Sequence, residues 1–209
     1  MARIAVITGD LINSTRVANP DAFRNQLREL VQLINRRYQA KSNLYRGDGF
    51  QVALDGEHFN AIEVALVLRT GLIAQSPDSE NRWDARIAIA FDDDDLSATE
   101  ENGPAYIQSG RSLDAMKKAS LLVVGDDEVS SLALNVATAF ADDVVSHLTA
   151  VEAEVLYYYF LYRESHQKIA ERLGKKRPTV TVALQRARYR LLEQYTRDMQ
   201  KFIEMYHEP

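Results

Sequence analysis

Two aspartates stand where a phosphate-handling site would need them. Asp10 closes the apolar run Ile4-Ala5-Val6-Ile7-Thr8-Gly9, and Asp48 lies in Gly47-Asp48-Gly49, between the strand-like runs Leu44-Tyr45-Arg46 and Phe50-Gln51-Val52-Ala53-Leu54. Gly and Asp are what tight hairpin turns select for backbone reasons alone. A second carboxylate close by adds a chemical reason. Two such groups repel, which raises one pKa unless a cation joins them. Mg²⁺ takes carboxylate and phosphate oxygens together, so the pair predicts a metal-assisted phosphate site. A second constellation is basic. Within 165–190, Lys168, Arg172, Lys175, Lys176, Arg177, Arg186, Arg188 and Arg190 meet a single acid, Glu171. That density suits an anionic partner.

The elements that must position these residues follow from apolar periodicity. Residues 3–9 read as a buried strand. Pro20-Asp21 opens a helix to Tyr38, with Phe23, Leu27, Leu30, Val31 and Ile34 at helical spacing. A hairpin follows over 43–47 and 50–54. A helix from Glu57 to Ala74, a strand over 85–90, a helix over 104–118, a strand over 120–124 and a helix from Asp126 to Phe140 complete the order β-α-β-β-α-β-α-β. Helices alone come after. This is the α+β class, and a βαββαβ core with a helical layer on a mostly antiparallel sheet is the ferredoxin-like plan. In that plan the first and third strands are central neighbours, so the hairpin tip with Asp48 should lie beside Asp10. The run Asp92-Asp93-Asp94-Asp95 reads as a solvated loop, since like charges repel. Ala141-Asp142-Asp143 and Ser146-His147 mark a junction, giving domains at 1–146 and 147–209.

The segments "VITGDLINST" and "LYRGDGFQVALDG" resemble the two metal-binding segments of class III nucleotidyl cyclases. There a strand-end Asp is followed five residues later by Thr, as Thr15 follows Asp10, and the hairpin carries Gly-Asp, as Gly47-Asp48 does here. "RIAIAF" is similar to the family's next strand. "NGPAYIQSGRSLD" is similar to its helix whose Arg meets phosphate charge, a place taken by Arg111. Diguanylate cyclases share this palm, and Arg46-Gly47-Asp48-Gly49-Phe50 matches part of their hairpin. The combination "GD.INS", "GDGFQ" and "GPAY" resembles the SatD family, over roughly the first 125 residues plus a helix-turn-helix tail. These resemblances imply a palm that holds Mg²⁺ on Asp10 and Asp48 and a nucleotide ligand against Thr15, Gly47 and Arg111. They also imply a dimer in which Arg111 of one protomer serves the carboxylates of the other. Three positions depart from the cyclase pattern. Its catalytic Asn is Ile107, its purine-reading Lys is Leu44, and its purine-reading Asp is Glu100. Two-metal phosphoryl transfer is almost all positioning and charge neutralisation, so these departures argue against turnover more than against binding.

Residues 148–195 parse into three helices. Thr149 with Glu152 forms a capping-box pattern, and Val151, Val155, Leu156, Tyr159 and Phe160 mark the buried side of the first. Tyr157-Tyr158-Tyr159 read as packing residues. Gln167 to Leu173 is a short helix closed by Gly174, and Pro178 starts a long helix with Val180, Leu184 and Leu191 inward. A short helix ending in Leu-Gly, a tight turn and a Thr-Val helix make a helix-turn-helix. The stretch is similar to sigma-factor region four. Thr179, Thr181, Gln185 and Arg186 are then expected towards base edges, and Lys168, Lys175, Lys176, Arg177 and Arg188 towards phosphates.

Composition bounds these readings. With 209 residues, 46% hydrophobic and 26% charged, the chain can bury a core unaided, and with no Cys it holds no disulfide and no thiolate metal site. No apolar run approaches the ~20 residues of a membrane span, and the N-terminus turns polar too soon for a signal peptide, so a soluble cytoplasmic protein is expected. The net charge of −5 hides an asymmetry: from His147 onward 11 Lys+Arg face 8 Asp+Glu, leaving 14 against 22 before it. The sequence therefore reads as a one-component DNA-binding transcriptional regulator, a homodimer whose palm senses a Mg²⁺-nucleotide. The alternatives are a nucleotidyl cyclase or related two-metal phosphoryl-transfer enzyme, and a ligand-free dimerisation scaffold carrying the same helix-turn-helix.

Overall fold

The computed structural model describes residues 4–45, 47–55, 61–92, 103–125 and 127–206. In chain order the first part comprises β1 (Ile4–Leu11), α1 (Pro20–Tyr38), β2 (Lys41–Tyr45), β3 (Gly49–Asp55), α2 (Ala61–Ala74), β4 (Ala85–Asp92), α3 (Pro104–Ala115), β5 (Leu121–Val123) and α4 (Glu128–Ser146). The element order is the one that apolar periodicity predicts. The sheet runs β2-β3-β1-β4-β5, with only β4 and β5 parallel. β1 is central because both of its faces are apolar, as a strand covered on both sides requires. Ala5, Ile7 and Leu11 enter the main core, while Ile4 and Val6 enter a smaller one beneath α3.

The main core forms where α1 and α2 cover one sheet face. α1 supplies Phe23, Leu27, Leu30, Val31 and Ile34, the five residues its spacing predicts, and Asn19 caps it by accepting from the Ala22 amide. α2 is buried on every side, so it carries almost no amphipathic signal. One reason is α5 (Ala150–Tyr162), which packs along α2 and continues the same hydrophobic core. Gly71 permits this approach. A Cβ there would sit 2.7 Å from Leu30 Cδ2 and 3.0 Å from Tyr157 Cε2. α6 (His166–Leu173), α7 (Arg177–Arg186) and α8 (Tyr189–Tyr206) complete the chain.

Several boundaries differ from expectation. The first strand of the hairpin begins at Lys41 and ends at Tyr45. α3 stops at Ala115 and α4 continues through Ala141-Asp142-Asp143 to Ser146, because Ala141, Asp142 and Val145 all face inward. The acidic run lies outside the described residues except for Asp92, the last residue of β4.

A buried charge cluster ties these elements together. Arg69 of α2 is completely inaccessible, and its guanidinium donates through Nε to Asp84 Oδ1 at 2.9 Å and through Nη2 to Asp84 Oδ2 at 2.7 Å. Nη1 donates to Asp142 Oδ1 at 2.6 Å and Nη2 to Ser146 Oγ at 3.1 Å. The remaining oxygen of Asp142 accepts from the Ser120 amide at the foot of β5. Burial alone lowers the Arg69 pKa, yet Asp84 and Asp142 outweigh it and the net shift is upward. Arg82, beside this cluster, donates to the carbonyls of Leu148 and Val145, closing the C-terminal end of α4.

Removing one member of such a cluster leaves charge buried without a partner, which costs about 3–5 kcal/mol. Arg69→Leu is therefore expected to lower urea-unfolding stability by that amount. The triple variant Arg69→Leu/Asp84→Asn/Asp142→Asn should regain a large part of it. Equal losses in the single and triple variants would contradict the uncompensated-charge account.

Candidate functional site

The hairpin brings the two aspartates to neighbouring backbone positions. Asp10 pairs with Gly49 in the β1–β3 register, and the Leu11 amide donates to the Asp48 carbonyl at 3.1 Å. Gly47 takes a φ of 86° in the turn, a left-handed conformation that glycine adopts without strain. Each carboxylate has a partner of its own. Asp10 accepts a bidentate pair from Arg86, from Nε at 3.0 Å and from Nη2 at 2.5 Å. Asp10 raises the Arg86 pKa chiefly through this hydrogen bond, and burial opposes it. Asp48 Oδ2 accepts from Ser14 Oγ at 2.7 Å, while Thr15 is exposed.

Neither Arg86 nor Ser14 was expected at the site from sequence. Arg86 was legible in principle: β1 and β4 are antiparallel, and their register sets Arg86 directly opposite Asp10. The same sheet face carries a polar row. Tyr45 donates to Gln51 Oε1 at 2.9 Å, Gln51 donates to Thr8 Oγ1 at 2.9 Å, and Thr8 Oγ1 lies 2.7 Å from Ser109 Oγ of α3. Arg111 is not brought to the carboxylates within one chain. Ser109 and Leu113 face the sheet, and Arg111 faces away into a groove of about 510 Å³ with Ile107 and Gln108. Glu100 lies outside the described residues.

The second candidate surface is built by α5 to α8. The capping box predicted at Thr149 and Glu152 is present, and Gly174 closes α6 in the left-handed conformation at φ 61°. Val180 and Leu184 point inward as expected. Two inward assignments do not hold: Val151 is 52% exposed and Leu191 is 48% exposed. The helix from Pro178 is not continuous. Arg188 adopts φ 52° and separates α7 from α8, which turns the apolar stripe by one residue and buries Leu192 in place of Leu191. α8 then presents Leu192, Thr196, Met199 and Ile203 to the body of the protein. The tyrosine run packs as expected, Tyr157 edge-on to Tyr158 and Tyr159 edge-on to Tyr189. Burial raises the Tyr159 hydroxyl to about 12, and its bond to Glu193 adds to this.

Thr179, Val182, Gln185 and Arg186 form the exposed face of α7. Thr181 is set differently, with its hydroxyl 3.0 Å from His166 Nδ1 across the contact of α6 with α7. Arg190 donates to the Tyr189 hydroxyl at 3.1 Å, and the other basic residues of 165–190 divide into two sets. Arg172 is held by Glu164 at 2.6 and 2.7 Å, and Lys175 is held by Glu154. Lys168, Lys176, Arg177, Arg186 and Arg188 are exposed with no carboxylate partner among the described residues.

Comparison with known proteins places this surface. The family model described as sigma-70, region 4, matches residues 141–191, from the last turn and a half of α4 to the start of α8. Sigma-70 region 4 is a DNA-binding helix-turn-helix domain, so the C-terminal part of this chain is similar to a DNA-binding module. No curated protein matches the chain. Among the described residues no helix is long and apolar enough to cross a membrane, and no group of three or more metal-binding side chains is found.

The carboxylate site depends on close backbone approach at Gly9. A Cβ there would lie 2.7 Å from the Arg86 carbonyl and closer still to the Phe50 ring. Gly9→Ala should cost about 1–3 kcal/mol by overpacking, read as a lower midpoint in urea. An unchanged midpoint would show that the strands can part there freely.

Proposed function

We propose that this protein is a DNA-binding transcriptional regulator whose α7 enters the major groove. The observation that carries this reading is the exposed face of α7 within the stretch that matches sigma-70 region 4, flanked by unpaired cations. Ten residues of helix extend about 15 Å, enough to reach several successive base pairs. Thr179 and Gln185 supply hydrogen-bonding groups, Val182 an apolar contact for a thymine methyl, and Arg186 a bidentate donor. Lys168, Lys176, Arg177 and Arg188 are placed to meet phosphates. Lys175 and Thr181 contribute by fixing α6 and α7, through Glu154 and His166. In this reading the module spans 147–209 and works as a homodimer on two half-sites.

The N-terminal part is proposed as a cyclase-type palm, on the ferredoxin-like strand order β2-β3-β1-β4 and the adjacency of Asp10 to the Asp48 turn. Its proposed ligand is a nucleotide, with Mg²⁺ on the two carboxylates. The donor set is of the hard-oxygen type that Mg²⁺ takes. Arg86 takes one lone pair on each oxygen of Asp10, so a metal there would share the carboxylate with the guanidinium or displace it. An apolar Ile107 beside Arg111 favours binding without turnover.

Each half has its own test. In fluorescence anisotropy with DNA selected from random sequence, Gln185→Ala or Arg186→Ala should cost about 1–3 kcal/mol and relax specificity. Lys176→Ala and Arg177→Ala should weaken all sequences alike and each lower the salt slope by about 1. A wild-type protein that shows no salt-dependent DNA binding would refute the DNA reading. For the palm, thermal unfolding against a nucleotide panel should show a Mg²⁺-dependent rise, since a ligand at ~100 times its Kd adds about 2.7 kcal/mol. That rise should vanish in Asp10→Ala/Asp48→Ala. No rise with any nucleotide would remove the sensor.

A further inference from the structure

The outer face of α4 is apolar and uncovered. Its inner face holds Leu134, Thr138, Ala141, Asp142 and Val145, all buried. On the opposite side Val129, Leu132, Val136 and Phe140 are 72%, 66%, 55% and 71% exposed. No charged residue stands between Glu128 and Asp142. A helix that meets only solvent carries charges along its outer face. Val129, Ala133, Val136 and Phe140 recur at intervals of four, three and four, the spacing by which paired helices interlock.

We propose that this face is where a second copy of the chain docks, α4 against α4, and that the pairing sets the distance between the two α7 helices. The choice of a second copy rests on the DNA-binding reading, because helix-turn-helix dimers read two half-sites related by a two-fold axis. A two-fold contact buries the same patch on both protomers, so the patch must complement itself. In an antiparallel pair, Val129 meets the partner's Phe140 and the small Ala133 meets the partner's Val136. Covering four side chains of this size removes about 400 Å² per protomer, or about 800 Å² in all. With Ala133 and the helix rims added, the contact reaches the ~1,000 Å² that marks the lower bound of a biological interface. Among the described residues no segment of the chain covers this face.

The position of α4 gives the pairing a route to DNA. Three residues, His147 to Thr149, separate it from α5, and Thr138 Oγ1 lies 2.8 Å from the Tyr195 hydroxyl of α8. A fixed α4 pair therefore fixes the helices that carry α7.

Oligomeric state is measured without DNA, so this inference and the DNA reading can fail separately. Sedimentation equilibrium of the 23.7 kDa chain at micromolar concentration should give a dimer. Leu132→Glu/Val136→Glu should give a monomer with an unchanged far-ultraviolet circular dichroism spectrum. Because the chain has no Cys, Val136→Cys introduces its only thiol. A short bismaleimide should link that variant into covalent dimers and leave Arg28→Cys, on α1, unlinked. A monomeric wild type, or a dimer that persists in the double Glu variant, would overturn the proposal. So would equal cross-linking at both thiols.

Discussion

The guanidinium of Arg69 lies at the one point where three parts of the chain must agree. Asp84 comes from the approach to β4, Asp142 and Ser146 from α4, and the Ser120 amide from the foot of β5. A buried cation is tolerated only where its donors find acceptors and its charge finds countercharge. Each element is therefore held in register by geometry as well as by apolar burial. Apolar burial is non-directional, and the fork of hydrogen bonds adds a fixed direction to it.

From that anchor the rest of the C-terminal part follows. α4 is fixed by its inner face, Arg82 closes its end through the carbonyls of Val145 and Leu148, and α5 begins at once along α2. The helix-turn-helix is thus joined to the sheet by a shared core. A second link runs through Arg163, which donates to Glu63 of α2 and to Glu193 of α8. Burial raises the Glu63 pKa against the pull of Arg163. Arg163 is spent on docking the module, while Arg172 and Lys175 are spent inside it, on Glu164 and Glu154. The cations around α7 are left without such pairs among the described residues. The positive surface is the remainder after the structure has used its own acids.

Much of this was legible in the sequence. Every strand and helix of the first part was foreseen in order, because short apolar runs and helices of period 3.6 were separated by Gly, Pro and Asp. Caps at Thr149 and Gly174 were readable from single residues, since each answers a local backbone need. Partners set by tertiary structure were not. Arg69 sits in "AIEVALVLRTGLIA", and a lone cation in a helix buried all round signals a buried ion pair, but nothing local names Asp84 or Asp142 as its acceptors. Asp142 instead read as part of a polar junction. The break at Arg188 has neither Gly nor Pro to announce it, and one residue of register decided whether Leu191 or Leu192 went inward. At the hairpin, the proximity of Asp10 to the Asp48 turn followed from strand order. The hold of Arg86 on Asp10 required the β1–β4 register.

The same buried cluster constrains how the chain can be made. Arg69 and Asp142 are 73 residues apart, so a nascent chain leaving the ribosome through β4 and β5 still lacks one of the two acids that neutralise the guanidinium. The sheet reaches its finished core only after the end of α4 has emerged. By then the next residues to appear belong to α5, whose Tyr157 packs against Gly71 of the same α2. A polypeptide stopped within 124–141 would therefore carry a stranded charge at its centre. Chaperones and proteases would meet that fragment as unfinished, although its sheet contains all five strands.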